Sequence, residues 1–245
     1  MPKDSQMPVQ VSRRQLLKGA LIGSASAGTG LPFIAQAQTA AANTAALNPG
    51  NELQAGYVFL MPAEASFVEA LADHMVPADQ LTPGGVELGI PTYIDRALEG
   101  SWGKGDRMYL QGPWDKGIPT QGYQLPLTPA QLYRAGIAAT NAYCIGTYGK
   151  SFDLLEAVQK ESVLKDLNAG KINFEGELPS KAFFTILYQT IVEGLFADPI
   201  YGGNANKAGW KMVGFPGVIA THTLDMAKFK NKKYTGPTLS IADAS

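Results

Sequence analysis

Cysteine and histidine are nearly missing from this chain, which holds one of the first, Cys144, and two of the second, His74 and His222. A single cysteine excludes a four-cysteine iron–sulfur cluster and a C-x-x-C-H haem attachment. The histidines lie far apart, and neither stands in the H-E-x-x-H spacing that sets two ring nitrogens around zinc on one helix face. Phosphate-binding glycine patterns are missing too. The nearest fragment, Gly103-Lys104-Gly105, lacks the continuation and the strand–helix context that let backbone approach a pyrophosphate. There is no Walker-type loop and no G-x-S-x-G nucleophile elbow. No run approaches the ~20 apolar residues of a membrane-spanning helix. Charge of either sign is sparse and balanced, 20 Lys+Arg against 21 Asp+Glu, so no basic face offers itself to a nucleic acid.

What is present starts at the N-terminus. Ser12-Arg13-Arg14-Gln15-Leu16-Leu17-Lys18 reads as a twin-arginine (Tat) export signal, with Leu16 where Phe is commoner. The stretch Gly19 to Ala27 that follows is weakly apolar, diluted with Gly and Ser, and too short to span a bilayer. Ala35-Gln36-Ala37 supplies the small residues a signal peptidase accepts, so cleavage is expected after Ala37. The expected organisation is a signal over residues 1–37, a linker over 38–56 marked by Pro49-Gly50, and one domain over 57–245. Cleavage removes Lys3, Arg13, Arg14 and Lys18 against Asp4 alone. Of 20 basic and 21 acidic residues, 16 and 20 remain, a net charge of −4. The Tat translocase carries folded proteins, so the chain is expected in the periplasm, either binding a cofactor itself or travelling with a partner that does.

Periodicity predicts helices. Phe67, Leu71 and Met75 recur every four residues, flanked by Val68, Ala72 and Val76, which gives a helix from Ala63 to about Val76. Pro77 ends it. Pro91 suits the first position of a short helix to about Glu99. From Ser101 to Leu127 regular structure is not expected, because glycine and proline punctuate the stretch throughout. That stretch carries Trp102, Tyr109, Trp114 and Tyr123 and little charge, a composition fitted to packing against a second protein. Thr128-Pro129-Ala130-Gln131 opens a helix to about Tyr148, stopped by Gly149. Another spans Phe152 to Asn168, broken near Lys160, and ends at Gly170. A third follows Pro179-Ser180 and reaches Phe196, with Phe183, Phe184, Leu187, Ile191 and Leu195 on its apolar side and Asp198-Pro199 closing it. No run of alternating strands and no internal repeat appears. The expected fold is all-α, a single helical domain with long irregular connections.

Few residues look catalytic. Glu69 and Asp73 share a helix face, but His74 is turned about 100° from Asp73, so a metal site is a poorer reading than a solvated acidic face. Cys144 is buried and inert, or bonded to a partner's thiol, or a free surface thiol. Lys228, Lys230, Lys232 and Lys233 read as a solvated tail rather than a docking patch.

The segment from Phe183 onward carries a specific pattern. Asp198-Pro199-Ile200-Tyr201-Gly202-Gly203-Asn204 is followed, after a spacer, by Gly209-Trp210-Lys211-Met212-Val213-Gly214-Phe215-Pro216-Gly217. With Pro77-Ala78-Asp79, Gly89-Ile90-Pro91, Asp95-Arg96, Gln111-Gly112-Pro113-Trp114 and Gly122-Tyr123-Gln124-Leu125-Pro126-Leu127-Thr128-Pro129, it closely resembles gluconate 2-dehydrogenase subunit 3. The spacer Ala205-Asn206-Lys207-Ala208 departs from the more usual charged, Met-containing stretch. The resemblance implies a non-catalytic small subunit with no cofactor of its own, needed for export, maturation and stability of a flavoprotein. It implies a large FAD-containing GMC-type dehydrogenase subunit and a multihaem cytochrome c subunit as partners, the latter passing electrons to quinone at the cytoplasmic membrane. Gluconate is the first substrate reading, with glucose, fructose and sorbitol open. The candidate partner contacts are Trp102, Trp114, Cys144, Asp198, Tyr201, Asn204, Trp210 and Phe215. Asp198 and Asn204 could stabilise turns through side-chain to backbone bonds. Trp210 and Phe215 are core plugs or interface anchors. A stand-alone exported oxidoreductase with an unrecognised cofactor site is the rival reading.

Overall fold

Several helices begin where a capping side chain or a proline suits the first turn. In the computed structural model, α1 (Pro62–Met75) starts on a proline, and the Glu64 carboxylate accepts from the Met61 amide at 2.9 Å. Helix α2 (Ile90–Glu99) carries Pro91 in its first turn. Ahead of α4 (Pro129–Tyr148), Thr128 and Gln131 form the reciprocal cap expected from the sequence: Thr128 Oγ1 accepts from the Gln131 amide and Gln131 Oε1 from the Thr128 amide at 2.9 Å. The helix stops on Gly149, whose φ of 73° only glycine adopts without cost. The structure describes residues 56–243 apart from 116, 119–120, 122–123, 175–177 and 219–222, all within one compact unit, Ala46–Ser245. The export signal with Arg13 and Arg14, cleavage after Ala37 and the linker lie outside the described residues.

Among the described residues the fold is all-α: eight helices, two isolated bridges and no strand. Besides those named, the helices are α3 (Ser101–Lys104), α5 (Ala157–Asn168), α6 (Ser180–Phe196), α7 (Ala208–Val213) and α8 (Thr223–Lys228). No helix of the described residues is long and apolar enough to cross a membrane.

Helix α6 packs against α2, α4 and α5, and α1 against α2, α4 and the turn Phe152–Leu154. Their apolar stripes meet around the fully buried Phe183. Its ring lies 6.4 Å from Phe67 and edge-on to Tyr133 at 6.2 Å and Phe174 at 6.3 Å, separations at which aromatic pairs attract. The Tyr133 hydroxyl, fully buried, is hydrogen-bonded to Thr190 Oγ1, so α4 and α6 are joined without an orphaned polar group. At the edge of this core, the buried carboxylate of Asp95 on α2 accepts from the amides of Val58, Phe59 and Leu60 at 2.8–2.9 Å. Those three bonds fix the chain as it enters α1.

Three local expectations need correction. Ser101–Lys104 is a helical turn rather than irregular chain, and Gly103 lies so close to the Leu98 carbonyl that a Cβ there would come within 1.9 Å of it. The break in the Phe152–Asn168 stretch falls at Leu155-Glu156, both extended, and not at Lys160. Burial of Phe152, whose amide donates to Asn141 Oδ1 at 3.0 Å, and the Gln159 cap on the Glu156 amide decide that position. Phe184 belongs only to the edge of the core: it is half-buried, packs against the buried cluster and stacks on Tyr188 at 6.3 Å.

Gly136 on α4 tests how tightly this core is packed. A Cβ there would fall 2.2 Å from the Phe183 ring, which its aromatic neighbours hold in place. Gly136→Ala gains about 1 kcal/mol of helix propensity and forces the ring to shift at a cost of about 1–3 kcal/mol. A urea-unfolding series is expected to show net destabilisation; a more stable variant would mean that the α4–α6 contact is loose.

Candidate functional site

Helix α6 ends at Phe196 with carbonyls that its own turns cannot satisfy. The residues after it supply the donors. Trp210 Nε1 donates to the Phe196 carbonyl at 2.7 Å, and Asn204 Nδ2 to the Ala197 carbonyl at 2.8 Å. Asn204 Oδ1 accepts from the Gly209 amide at 2.8 Å, so one fully buried amide side chain closes the loop on both sides. The buried Asp198 does the same for the tail: Oδ1 accepts from the Ile200 amide at 3.0 Å and Oδ2 from the Ile241 amide at 2.9 Å. Gly203 and Gly209 lie directly on the helix end. A Cβ on either would come within 2.2 Å of the Gly194 carbonyl or 2.3 Å of the Leu195 carbonyl.

The spacer Ala205-Asn206-Lys207-Ala208 has its own conformation. Asn204, Asn206 and Lys207 take φ of 49°, 56° and 59°, the left-handed region that asparagine tolerates and lysine does not favour. The Ala205 amide donates to the Leu88 carbonyl at 3.0 Å, and Lys207 Nζ to Asp243 Oδ2 at 2.6 Å. That ion pair and two hydrogen bonds from Ser240 hold the Asp243 carboxyl well below the usual carboxylate range. The spacer is thus tied to the chain before α2 on one side and to the C-terminal segment on the other.

The residues expected to contact a partner fall into two groups. Asp198, Asn204 and Trp210 are buried and build the turn; Trp210 is a core plug. Tyr201 at 57 %, Phe215 at 45 %, Trp102 at 41 % and Trp114 at 37 % are exposed. Phe215 sits edge-on to Trp210 at 5.3 Å, so its ring is braced from behind while its outer side faces solvent. Trp114 lines a hollow of about 350 Å³ with Met108, Tyr109 and Pro113 in the aromatic loop. Cys144 lies at 0 % exposure in the core of the described residues, and burial raises its thiol to about 11. In this fold it packs the interior and presents no sulfur to a second chain.

The acidic residues around His74 diverge. Glu69 accepts from the Tyr57 hydroxyl at 2.6 Å, Asp73 from the Val86 amide at 2.8 Å, and His74 meets Glu161 of α5 at 3.1 Å. Among the described residues no group of three or more His, Cys, Asp or Glu side chains is placed to hold a metal ion.

Sequence reasoning missed one feature. An open groove of about 690 Å³ runs between α2 and the end of α6, lined mainly by Tyr93, Arg96, Val192, Glu193, Phe196 and Tyr201. The Tyr93 hydroxyl donates to Glu193 Oε2 at 3.3 Å, and Gln189 Nε2 to Glu193 Oε1 at 2.9 Å. Partial burial, and then the Glu193 carboxylate, push the Tyr93 hydroxyl up to about 12. The available signal was a second apolar stripe on α6, Phe184, Tyr188, Val192 and Phe196, spaced by four.

Two measurements probe this construction. Asn204→Asp keeps a residue tolerant of positive φ but replaces the donor facing the Ala197 carbonyl with an acceptor; a loss of about 1–3 kcal/mol is expected in thermal or urea unfolding. Cys144 should react with a thiol reagent at pH 8 only after the protein is unfolded. Rapid labelling of the native chain would show that the helix carrying it opens.

Neither a curated protein nor a solved structure gives a match. The family model described as gluconate 2-dehydrogenase subunit 3 matches residues 62–217, from the first residue of α1 to the end of the glycine-rich block. That span is well over half of the chain, and the protein therefore belongs to the gluconate 2-dehydrogenase subunit 3 family.

Proposed function

We propose that this chain is the non-catalytic small subunit of a periplasmic dehydrogenase complex, and that it escorts the flavoprotein subunit through the Tat pore and stabilises it afterwards. Membership of the family makes it a subunit of a dehydrogenase complex whose other subunits carry the cofactors, associated with a membrane dehydrogenase assembly. The finer reading assigns FAD and sugar-acid oxidation to a large GMC-type subunit and electron transfer to a multihaem cytochrome c subunit. Gluconate is the preferred substrate of that assembly, with cleavage of this chain after Ala37.

The family match over residues 62–217 carries the proposal. Two further observations support it. The Ser12-Arg13-Arg14 sequence fits an export signal, and large apolar side chains stand exposed on the aromatic loop and around the glycine-rich block. Exposed aromatic anchors of this kind are what a permanent partner covers.

The test is a pull-down of the processed chain from periplasm, read by absorbance and a non-reducing gel. Co-elution of a large flavoprotein and a haem protein is expected, with both lost from the periplasm when Arg13 and Arg14 are changed to Lys. A single colourless chain without partners would sink the escort role. A single coloured chain would favour the rival, a stand-alone oxidoreductase.

A further inference from the structure

Helix α6 is apolar on two sides. One side, built from Phe183, Leu187 and Ile191, is buried in the core. The other, Phe184, Tyr188, Val192 and Phe196, is only partly covered among the described residues: Phe184 packs at the core's edge and Phe196 is half-buried, while Tyr188 and Val192 are 54 % and 36 % exposed. A third side is polar and exposed, with Lys181, Thr185, Gln189 and Glu193 spaced by four. The outer stripe opens to solvent at Tyr188 and Val192 and leads at its C-terminal end into the groove where Tyr201 and Ile200 also stand exposed.

The charges in the groove narrow the occupant. Glu193 is committed within its own chain, accepting from Tyr93 and from Gln189. The Arg96 side chain, exposed on α2, makes no hydrogen bond or ion pair with any described residue. A carboxylate beside an apolar surface is the complement of this site, because a guanidinium reads a carboxylate through paired N–H donors. A small ligand could fill the groove but would leave Tyr188 and the upper stripe uncovered, whereas a protein segment reaches both.

We propose that the outer stripe of α6 and the adjoining groove seat an apolar segment of the flavoprotein subunit, and that an Asp or Glu of that segment meets Arg96. This deepens the accessory-subunit reading and rests on it. It places the main contact on α2 and α6, away from the aromatic loop that composition alone favours.

The experiment uses the full chain co-expressed with its flavoprotein subunit. A benzophenone amino acid is placed at Val192, and in a separate variant at Val158, which is 82 % exposed on α5. Arg96→Glu and Arg96→Lys are compared for retention of the flavoprotein, with thermal melts confirming that both variants fold. Supporting results are a Val192 cross-link whose partner peptides, read by mass spectrometry, come from an acidic and apolar segment of the flavoprotein, a silent Val158, and retention reduced by at least about tenfold in Arg96→Glu and less in Arg96→Lys. If the wild-type complex forms but Val192 is silent and Arg96→Glu binds normally, this surface is wrong and the accessory role stands. Cross-linking of two copies of this chain through Val192 would assign the stripe to self-association and overturn the proposal. Failure of the wild-type chains to associate at all would overturn both readings.

Discussion

The C-terminal end of α6 is the point on which the architecture turns. A long helix that stops inside a protein leaves carbonyl groups that lose hydration without gaining a partner. Here the donors come from side chains 7 and 14 residues further on, Asn204 to the Ala197 carbonyl and Trp210 to the Phe196 carbonyl. To reach those carbonyls, the chain must double back within a few residues and lie against the helix end. That route is open only with glycine at 203 and 209. The signature block is therefore first a capping device. Its buried members serve the fold, and its outward members, Tyr201 and Phe215, are left on a rigid surface.

That rigidity bears on the partner surface. Rings that face solvent from a braced backbone lose little further freedom when a second protein covers them, so more of the contact energy survives as affinity. Phe215 is backed by Trp210, Tyr201 follows the Asp198 turn, and Phe184 stacks on Tyr188. Across the same helix, Phe183 holds the interior together through three aromatic neighbours. One helix thus organises both the core and the exposed stripe, so packing at Gly136 and recognition at Val192 share a scaffold.

Local signals were legible wherever a single residue type forces a backbone outcome. Thr128 with Gln131, Pro62, Pro91 and Gly149 mark helix ends through their own chemistry. Asp198 and Asn204 were readable as turn residues for the same reason, although which amides and carbonyls they would meet was not. Placement across the chain was less legible. Phe184 and Leu187 look alike to a hydrophobicity count, and only the position of α2, α4 and α5 makes one an outer and the other a core residue. The break at Leu155-Glu156 was missed because burial of Phe152 against α1 decides it. Arg96 and Glu193 are nearly a hundred residues apart, and no periodicity relates them.

By itself, the sequence determined the all-α class, most helix boundaries and the family, because capping chemistry, apolar period and a dense glycine–aromatic motif are properties of short segments. It also limited cofactor chemistry, since one cysteine and two histidines leave few ligand sets. Only the tertiary structure decided that Cys144 is interior, that Asn204 and Trp210 are spent on the end of α6 and Asp198 on the tail, and that a groove beside Arg96 exists. The physical reason is the same in each case. Burial and hydrogen-bond partnership depend on which segments pack together, and that is settled by long-range contacts that no local pattern encodes.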